Sequence, residues 1–145
     1  MANQTADREA KRQEGRQLDL LASNVRFYKG ALVAFNGTNN YVVKAADTAA
    51  MKIAGVVNQP VDLTSSVAGA DRVEVYREGI FTFAVSGTAP KLGDKVYVVD
   101  DQTVGIAATT TNDVPVGIVV DVPTTGDTAT GFCRVQIDVA VNGAL

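Results

Sequence analysis

The chain has no histidine and no tryptophan, and it has one cysteine, Cys133. Without histidine it lacks the usual general base, the commonest metal ligand and every serine–histidine or cysteine–histidine nucleophile. A lone cysteine excludes a disulfide within the chain and favours a reducing compartment. Because Cys133 alternates with polar residues in its segment and shares a face with apolar ones, we expect a buried, inert thiol. These absences argue against most hydrolytic mechanisms and against thiol chemistry.

Excess positive charge and long apolar runs are also missing. The formal net charge is −3, and no basic patch is visible that would neutralise phosphates, so nucleic acid is not an expected partner. No apolar run is long enough to cross a membrane, and Met1–Gln17 lacks the apolar core of a signal peptide. Since no glycine-rich phosphate loop occurs either, the sequence predicts no nucleic-acid, membrane or cofactor partner.

The chain does contain short β-rich runs separated by glycine, asparagine, threonine, aspartate and proline. This spacing predicts an all-β fold, a small β-barrel or sandwich. In the last run, Cys133, Val135 and Ile137 alternate with polar residues, which is typical of a half-buried strand. Tight turns are expected at 36–37 and 100–101, and longer polar loops at 60–70, 109–113 and 124–127. The predicted strands are 31–35, 41–44, 53–57, 72–76, 80–85, 95–99, 105–107, 116–120 and 132–141.

Part of this pattern occurs twice. Residues 29–75 reappear, weakly but in order, in residues 91–137, which predicts an internal duplication of two related β units. One residue has been inserted or lost between them, because some pairs are 62 apart (117−55) and others 63 apart (93−30). The matching pairs are Lys29 and Lys91, Gly30 and Gly93, Val33 and Val96, Gly55 and Gly117, Gly69 and Gly131, Arg72 and Arg134, and Val73 and Val135.

The first part of the chain differs in composition from the rest. Residues 1–24 form a charged arm, which we expect to be extended or partly helical, and residues 25–145 form the β domain. Up to Gln17 the arm has too few apolar side chains to bury itself, and an isolated helix of this length is marginal in water. Its basic residues are either part of a solvated tail or bind carboxylates of a partner, which suits the planar guanidinium. The predicted partner-binding residues are Arg8, Lys11, Arg12 and Arg16.

Four aspartates are the best candidates for metal binding or acid–base chemistry. All four stand among turn residues, where an aspartate accepts backbone hydrogen bonds and needs no ligand, and the loop of a calcium-binding hand is missing. We therefore expect a structural role, no metal site and no catalytic residue. An enzyme that uses carboxylates alone remains a minor alternative. The four residues are Asp94, Asp100, Asp101 and Asp113.

An ordered series of segments resembles a known family. Residues 73–75 (VEV), 78–81 (EGIF), 92–97 (LGDKVY) and 115–119 (PVGIV) occur in this order, within about the last two thirds of the chain. The series is similar to that of the capsid cement, or head decoration, proteins of tailed bacteriophages. No single segment is specific, since each is a strand with its turn residues.

The resemblance implies a structural virion protein, not an enzyme. It implies a small β-barrel or sandwich that binds the major capsid protein on the outer surface of an assembled head and stabilises it. Such proteins form homo-oligomers, often trimers at threefold positions, and are present in the host cytoplasm during assembly. The long arm departs from compact members of that family, and we expect it to act as a clasp on the shell.

A second hypothesis is a carbohydrate- or host-surface-binding β module of a phage tail or fibre. Sites of this kind usually present exposed aromatic side chains. Without tryptophan, the candidates in this chain are the four tyrosines. They are Tyr28, Tyr41, Tyr76 and Tyr97.

Overall fold

A computed structural model describes residues 17–122 and 131–139, and this part of the chain is all-β, as predicted. Twelve strands lie in the described residues. In chain order they are β1 (Gln17–Leu21), β2 (Arg26–Phe27), β3 (Leu32–Phe35), β4 (Val42–Lys44), β5 (Lys52–Val57), β6 (Val61–Asp62), β7 (Arg72–Tyr76), β8 (Glu78–Val85), β9 (Lys95–Val98), β10 (Thr103–Gly105), β11 (Pro115–Asp121) and β12 (Phe132–Asp138).

The second half of the chain forms a closed barrel of five strands, in the order β10-β8-β12-β11-β9. Neighbouring strands are antiparallel except at the closing pair, β10 and β8, which run parallel. The interior side chains are those of the predicted apolar face. Cys133, Val135 and Ile137 of β12 are buried, whereas Arg134 and Gln136 are exposed. The predicted half-buried strand is therefore confirmed over Phe132–Asp138.

The first half repeats this architecture in a more open form. Its five-stranded sheet has the order β1-β7-β5-β3-β4. The edge strands approach each other at a single parallel bridge between Ala22 and Val42. A short two-stranded sheet, β2 with β6, places Phe27 in the interior of this unit.

The internal duplication is confirmed by the strand pairing. Strands β1, β3, β4, β5 and β7 of the first unit pair as β8, β9, β10, β11 and β12 do in the second. The closing hydrogen bonds also correspond, because the Ser23 amide donates to the Val42 carbonyl at 2.9 Å and the Ser86 amide donates to the Val104 carbonyl at 3.0 Å. The repeated structure thus begins earlier than the repeated sequence and includes β1 and β8.

The two units share an apolar core. One buried cluster lies inside the first unit and contains Phe27 and Val75. The other fills the second barrel around Phe83 and also includes Leu32 and Ile53 from the first unit. The Leu32 amide donates to the Asp101 carbonyl at 2.7 Å, so main-chain bonding joins the units at the same place.

The sequence predicted nine strands, and all nine overlap observed ones, although β10 begins two residues earlier than expected. It missed β1, β2 and β6, of which the last lies in the predicted loop 60–70. Two-residue strands such as β2 and β6 are too short to show an alternating pattern. Strand β1 lies on the N-terminal side of the predicted domain boundary at Asn24, and its full-length pairing with β7 depends on a partner 50 or more residues away. The loop 124–127 and residues 140–141 lie outside the described residues.

Asp47 links the two units through a loop of each. Its carboxylate accepts hydrogen bonds from the backbone amides of Thr111 and Asn112, both at 2.8 Å. The Asn112 side-chain amide in turn donates to the Asp47 carbonyl at 2.9 Å. The two backbone hydrogen bonds stabilise the charged carboxylate and lower the pKa of Asp47 below its ordinary value of 3.8.

Replacing Asp47 by alanine is expected to lower the free energy of unfolding by about 1 kcal/mol at pH 7, a modest value because the group is partly solvated. Because the pKa of Asp47 is lowered by folding, its carboxylate stabilises the folded protein at pH values above the pKa of the unfolded state. This stabilisation is lost as the pH falls through the pKa of the folded state. The difference between wild type and D47A should therefore be complete at pH 6 to 7 and shrink below about pH 4. Urea unfolding of both proteins at several pH values measures this difference in the free energy of unfolding.

Asp62 is the matched control for this experiment. Hydrogen bonds likewise lower its pKa, but they come from Thr64 in its own loop and join no second unit. We expect D62A to have the smaller effect at pH 7. A D47A difference that stayed constant down to pH 2 would contradict the role assigned to the Asp47 carboxylate.

Candidate docking surfaces

The predicted arm residues Arg8, Lys11, Arg12 and Arg16 lie outside the described residues, so their role as partner-binding groups stays a prediction. The structure shows where the arm joins the fold. Gln17, the first described residue, is the first residue of β1 and lines a cleft of about 660 Å³. Glu78 and Asp138 lie opposite each other across β8 and β12 in the same cleft. The arm thus leaves the fold beside two carboxylates.

Two of the four aspartates accept backbone hydrogen bonds in their turns through their carboxylates. Asp94 accepts a hydrogen bond from the Lys91 amide at 2.8 Å, and Asp100 accepts one from the Gln102 amide at 2.9 Å. Asp113 accepts one from the Thr110 hydroxyl at 2.7 Å. The Asp101 carbonyl receives the Leu32 amide, a main-chain bond between the two units. Within residues 17–122 and 131–139, no group of three or more acidic or cysteine side chains is arranged to hold a metal ion.

Cys133 is fully buried in the second barrel, which confirms the position predicted for it. Burial in apolar surroundings disfavours the thiolate and raises the pKa of the thiol to about 11. Since the thiolate is the reactive form, the side chain is a packing group in this fold.

The four tyrosines differ in exposure. Tyr41, Tyr76 and Tyr97 are half-buried, whereas 56% of the Tyr28 surface is exposed. Tyr28 lies in the turn before β3 and lines a cleft of about 310 Å³ between the two units. Phe132 of β12 lies in the same cleft, although it is 104 residues away in the chain (132−28).

Basic side chains surround the Tyr28 ring. The guanidinium carbon of Arg26 is 5.2 Å from the ring centroid and the Lys44 ammonium is 5.7 Å from it, distances at which a cation is attracted to an aromatic face. No sequence pattern brings this group together, because Arg26, Tyr28 and Lys44 come from β2, a turn and β4. In the sequence, Lys29 begins the repeated segment and Tyr28 is one of four separate aromatic candidates.

A third surface is apolar and lies on the outside of the second barrel. Ile80 on β8 is 59% exposed, and Leu92, in the turn before β9, is 68% exposed. Val120 on β11 is also exposed. An ion pair of 2.9 Å between Arg134 and Asp121 lies on the same outer side. The corresponding strand pair of the first unit, β1 with β7, carries exposed Asp19 and Arg72, of which Arg72 matches Arg134.

The described part of the chain is thus a duplicated all-β module with exposed aromatic, charged and apolar side chains. The described residues contain no helix that is long and apolar enough to cross a membrane.

The family model described as "Structural cement protein (E217 gp24/Pam3 gp6)" matches residues 1–138. The chain therefore belongs to this family of structural phage proteins, which confirms the resemblance seen in residues 73–119. The match includes residues 1–24. No curated protein matches the chain. No solved structure matches it.

Proposed function

We propose that this protein binds the outer surface of an assembled phage head, contacts the major capsid protein and stabilises the shell. The observation that carries the proposal is the family match over residues 1–138, since the family consists of structural cement proteins. The protein acts by binding alone and performs no catalysis. It is a virion component that passes through the host cytoplasm during assembly.

We further propose that the protein acts as a homo-oligomer, with a trimer favoured. Oligomerisation makes the later contacts with a shell effectively intramolecular and raises avidity by roughly 10²–10⁴. The exposed Ile80 and Leu92 side chains of the second unit are candidate contacts between copies. Mass photometry or sedimentation equilibrium of the purified chain measures the number of copies.

The arm is proposed as a clasp whose basic residues bind carboxylates of the shell or of a neighbouring copy. The point where the arm joins the fold supports this, because Gln17, the first described residue, lines an open cleft. Each exposed ion pair contributes about 0.2–1 kcal/mol, so a single pair would add little to the free energy of binding. Four pairs together would add a measurable amount. Those four basic residues are Arg8, Lys11, Arg12 and Arg16.

Deleting residues 2–16 leaves β1 complete and tests the clasp. The shortened chain is expected to fold and to bind heads roughly 10- to 100-fold more weakly, the loss that corresponds to four exposed ion pairs. Binding is measured by co-sedimentation with mature heads stripped of their cement, with unexpanded precursor shells for comparison. Saturable binding of the full chain to mature heads supports the cement role, and no binding to either shell contradicts it.

Charge variants separate the contribution of the arm's charge to head binding from the contribution of its length. Replacing Arg8, Lys11, Arg12 and Arg16 with glutamine should reproduce most of the loss. Replacing the three acidic residues that precede Gln17 with their amides is the matched control and should not weaken binding. If the deletion variant binds as tightly as the full chain, the clasp is wrong, and the cement role then depends on the β domain. The three acidic residues are Asp7, Glu9 and Glu14.

A further inference from the structure

The cleft between the two units is a preformed site. Its first wall is the turn of residues 28–31, and its second wall comes from β8 and β12. The turn is held by a hydrogen bond from the Gly30 amide to the Val57 carbonyl at 2.9 Å. The opposite wall is held by a bond from the Ala84 amide to the Gln102 carbonyl at 3.2 Å. Because both walls are fixed by main-chain bonds, the cleft does not have to be ordered when a ligand enters.

The cleft has aromatic rings in its lining and basic side chains close to one of them. Tyr28 and Phe132 present exposed rings to it, and Arg26, Lys29 and Lys44 surround the Tyr28 side. Asp62 approaches Arg26 only to 3.9 Å, at the limit of an ion pair. Among the residues that the structure describes, neither Lys29 nor Lys44 forms an ion pair. In a protein of net charge −3, the basic rim formed by Arg26, Lys29 and Lys44 is a local excess of positive charge.

We infer that the cleft holds an acidic segment of the shell protein, with one apolar side chain between Tyr28 and Phe132 and carboxylates on the basic rim. This inference rests on the proposed cement function and names its docking site in the β domain. Charge complementarity identifies the occupant, since two lysines without an ion pair beside exposed rings suit an acidic peptide. A neutral glycan would leave Lys29 and Lys44 without anionic partners. Nucleic acid is disfavoured because three basic side chains are too few for the extended phosphate neutralisation that supplies most of its affinity.

The duplication supplies a matched control turn. Residues 91–94 repeat the backbone of 28–31, with the Gly93 amide donating to the Val119 carbonyl at 2.8 Å where Gly30 donates to Val57. The structure corrects the predicted pairing of Lys29 with Lys91, because Lys91 takes the place of Tyr28 and Leu92 that of Lys29. Neither Lys91 nor Leu92 lines the cleft. Variants of this turn change the same backbone environment without touching the cleft.

The test is binding of the full chain, with its arm intact, to stripped mature heads at several salt concentrations. Y28A is expected to weaken binding by about 30-fold, the effect of losing a central aromatic contact. The double variant K29E/K44E should bind at least as weakly and should lose much of the salt dependence of wild-type binding. K91E should bind within about twofold of wild type. Soluble polyglutamate should compete with heads for the wild-type protein.

The outcomes are distinguishable. If wild type binds heads and both cleft variants bind equally well, the docking site is wrong and the cement function stands. If wild type does not bind heads, the proposed function fails and the docking site fails with it. Binding to a glycan array that Y28A abolishes would assign the cleft to carbohydrate and overturn the inference. Thermal unfolding of each variant confirms that it is folded, and Tyr28 and Lys29 are exposed, so their replacement should leave the fold intact.

Discussion

Replacing Gly117 by alanine is expected to destabilise the protein by about 3 kcal/mol, because β11 and β12 are too close at this point to admit a Cβ atom. An added Cβ would overlap the Gln136 carbonyl oxygen and come within 2.9 Å of a Val135 methyl group. Both atoms belong to the neighbouring strand, so relief requires the barrel backbone to move. The equivalent Gly55 faces the Tyr76 carbonyl in the same way, and G55A should have a similar effect. Urea or thermal unfolding measures both.

Gly93 is the matched control for backbone crowding. It has a φ of +87°, and an added Cβ would meet no atom within 4 Å. G93A should therefore cost only the conformational penalty of a left-handed residue, about 1–2 kcal/mol. A G117A protein as stable as wild type, or less affected than G93A, would show that β11 and β12 separate easily and would contradict the close packing.

Truncating the core phenylalanine of either unit is expected to destabilise the whole domain by about 3–5 kcal/mol. Phe27 is completely buried in the first unit, and Phe83 is 2% exposed in the second. Because Leu32 and Ile53 of the first unit belong to the same buried cluster as Phe83, loss of either core should expose the surface shared by both. We therefore expect F27A and F83A each to shift one cooperative transition, measured by circular dichroism and by tyrosine fluorescence.

Phe35 provides the comparison. It lies on β3 with 38% of its surface exposed, so F35A should cost much less, about 1 kcal/mol. Two separate transitions in F27A or F83A, one for each unit, would show that the shared cluster does not couple the units. In that case the protein would behave as two linked modules.

Much of the fold was predictable because its signals are local. The alternation of Cys133, Val135 and Ile137 with polar residues predicts which face of β12 is buried, since successive side chains of a strand point to opposite sides. The Asn36–Gly37 turn was also predictable. Asn36 accepts hydrogen bonds from the Thr38 and Asn39 amides, and Gly37 has a φ of +79°. Asparagine and glycine are the residues that such backbone requires.

The parts that sequence reasoning missed depend on distant partners. Strand β1 is short, but every one of its residues is paired with β7. The weak sequence repeat began at Lys29 because β1 and β8 share topology and little sequence. Asp47 had no distinguishing sequence context, and its importance comes from two amides more than 60 residues away.

By itself the sequence determined the class of fold, the duplication, the buried thiol and the turn roles of Asp94 and Asp100, and the order of its β segments indicated the cement family. Each of these depends on residue type, side-chain alternation or turn chemistry within a few residues. Only the tertiary structure decided that the second unit closes into a barrel, that the two units share a core, and that Tyr28, Lys44 and Phe132 lie around one cleft. Contacts between residues far apart in the chain follow from how strands pair and pack, and a local pattern does not specify which strands those are.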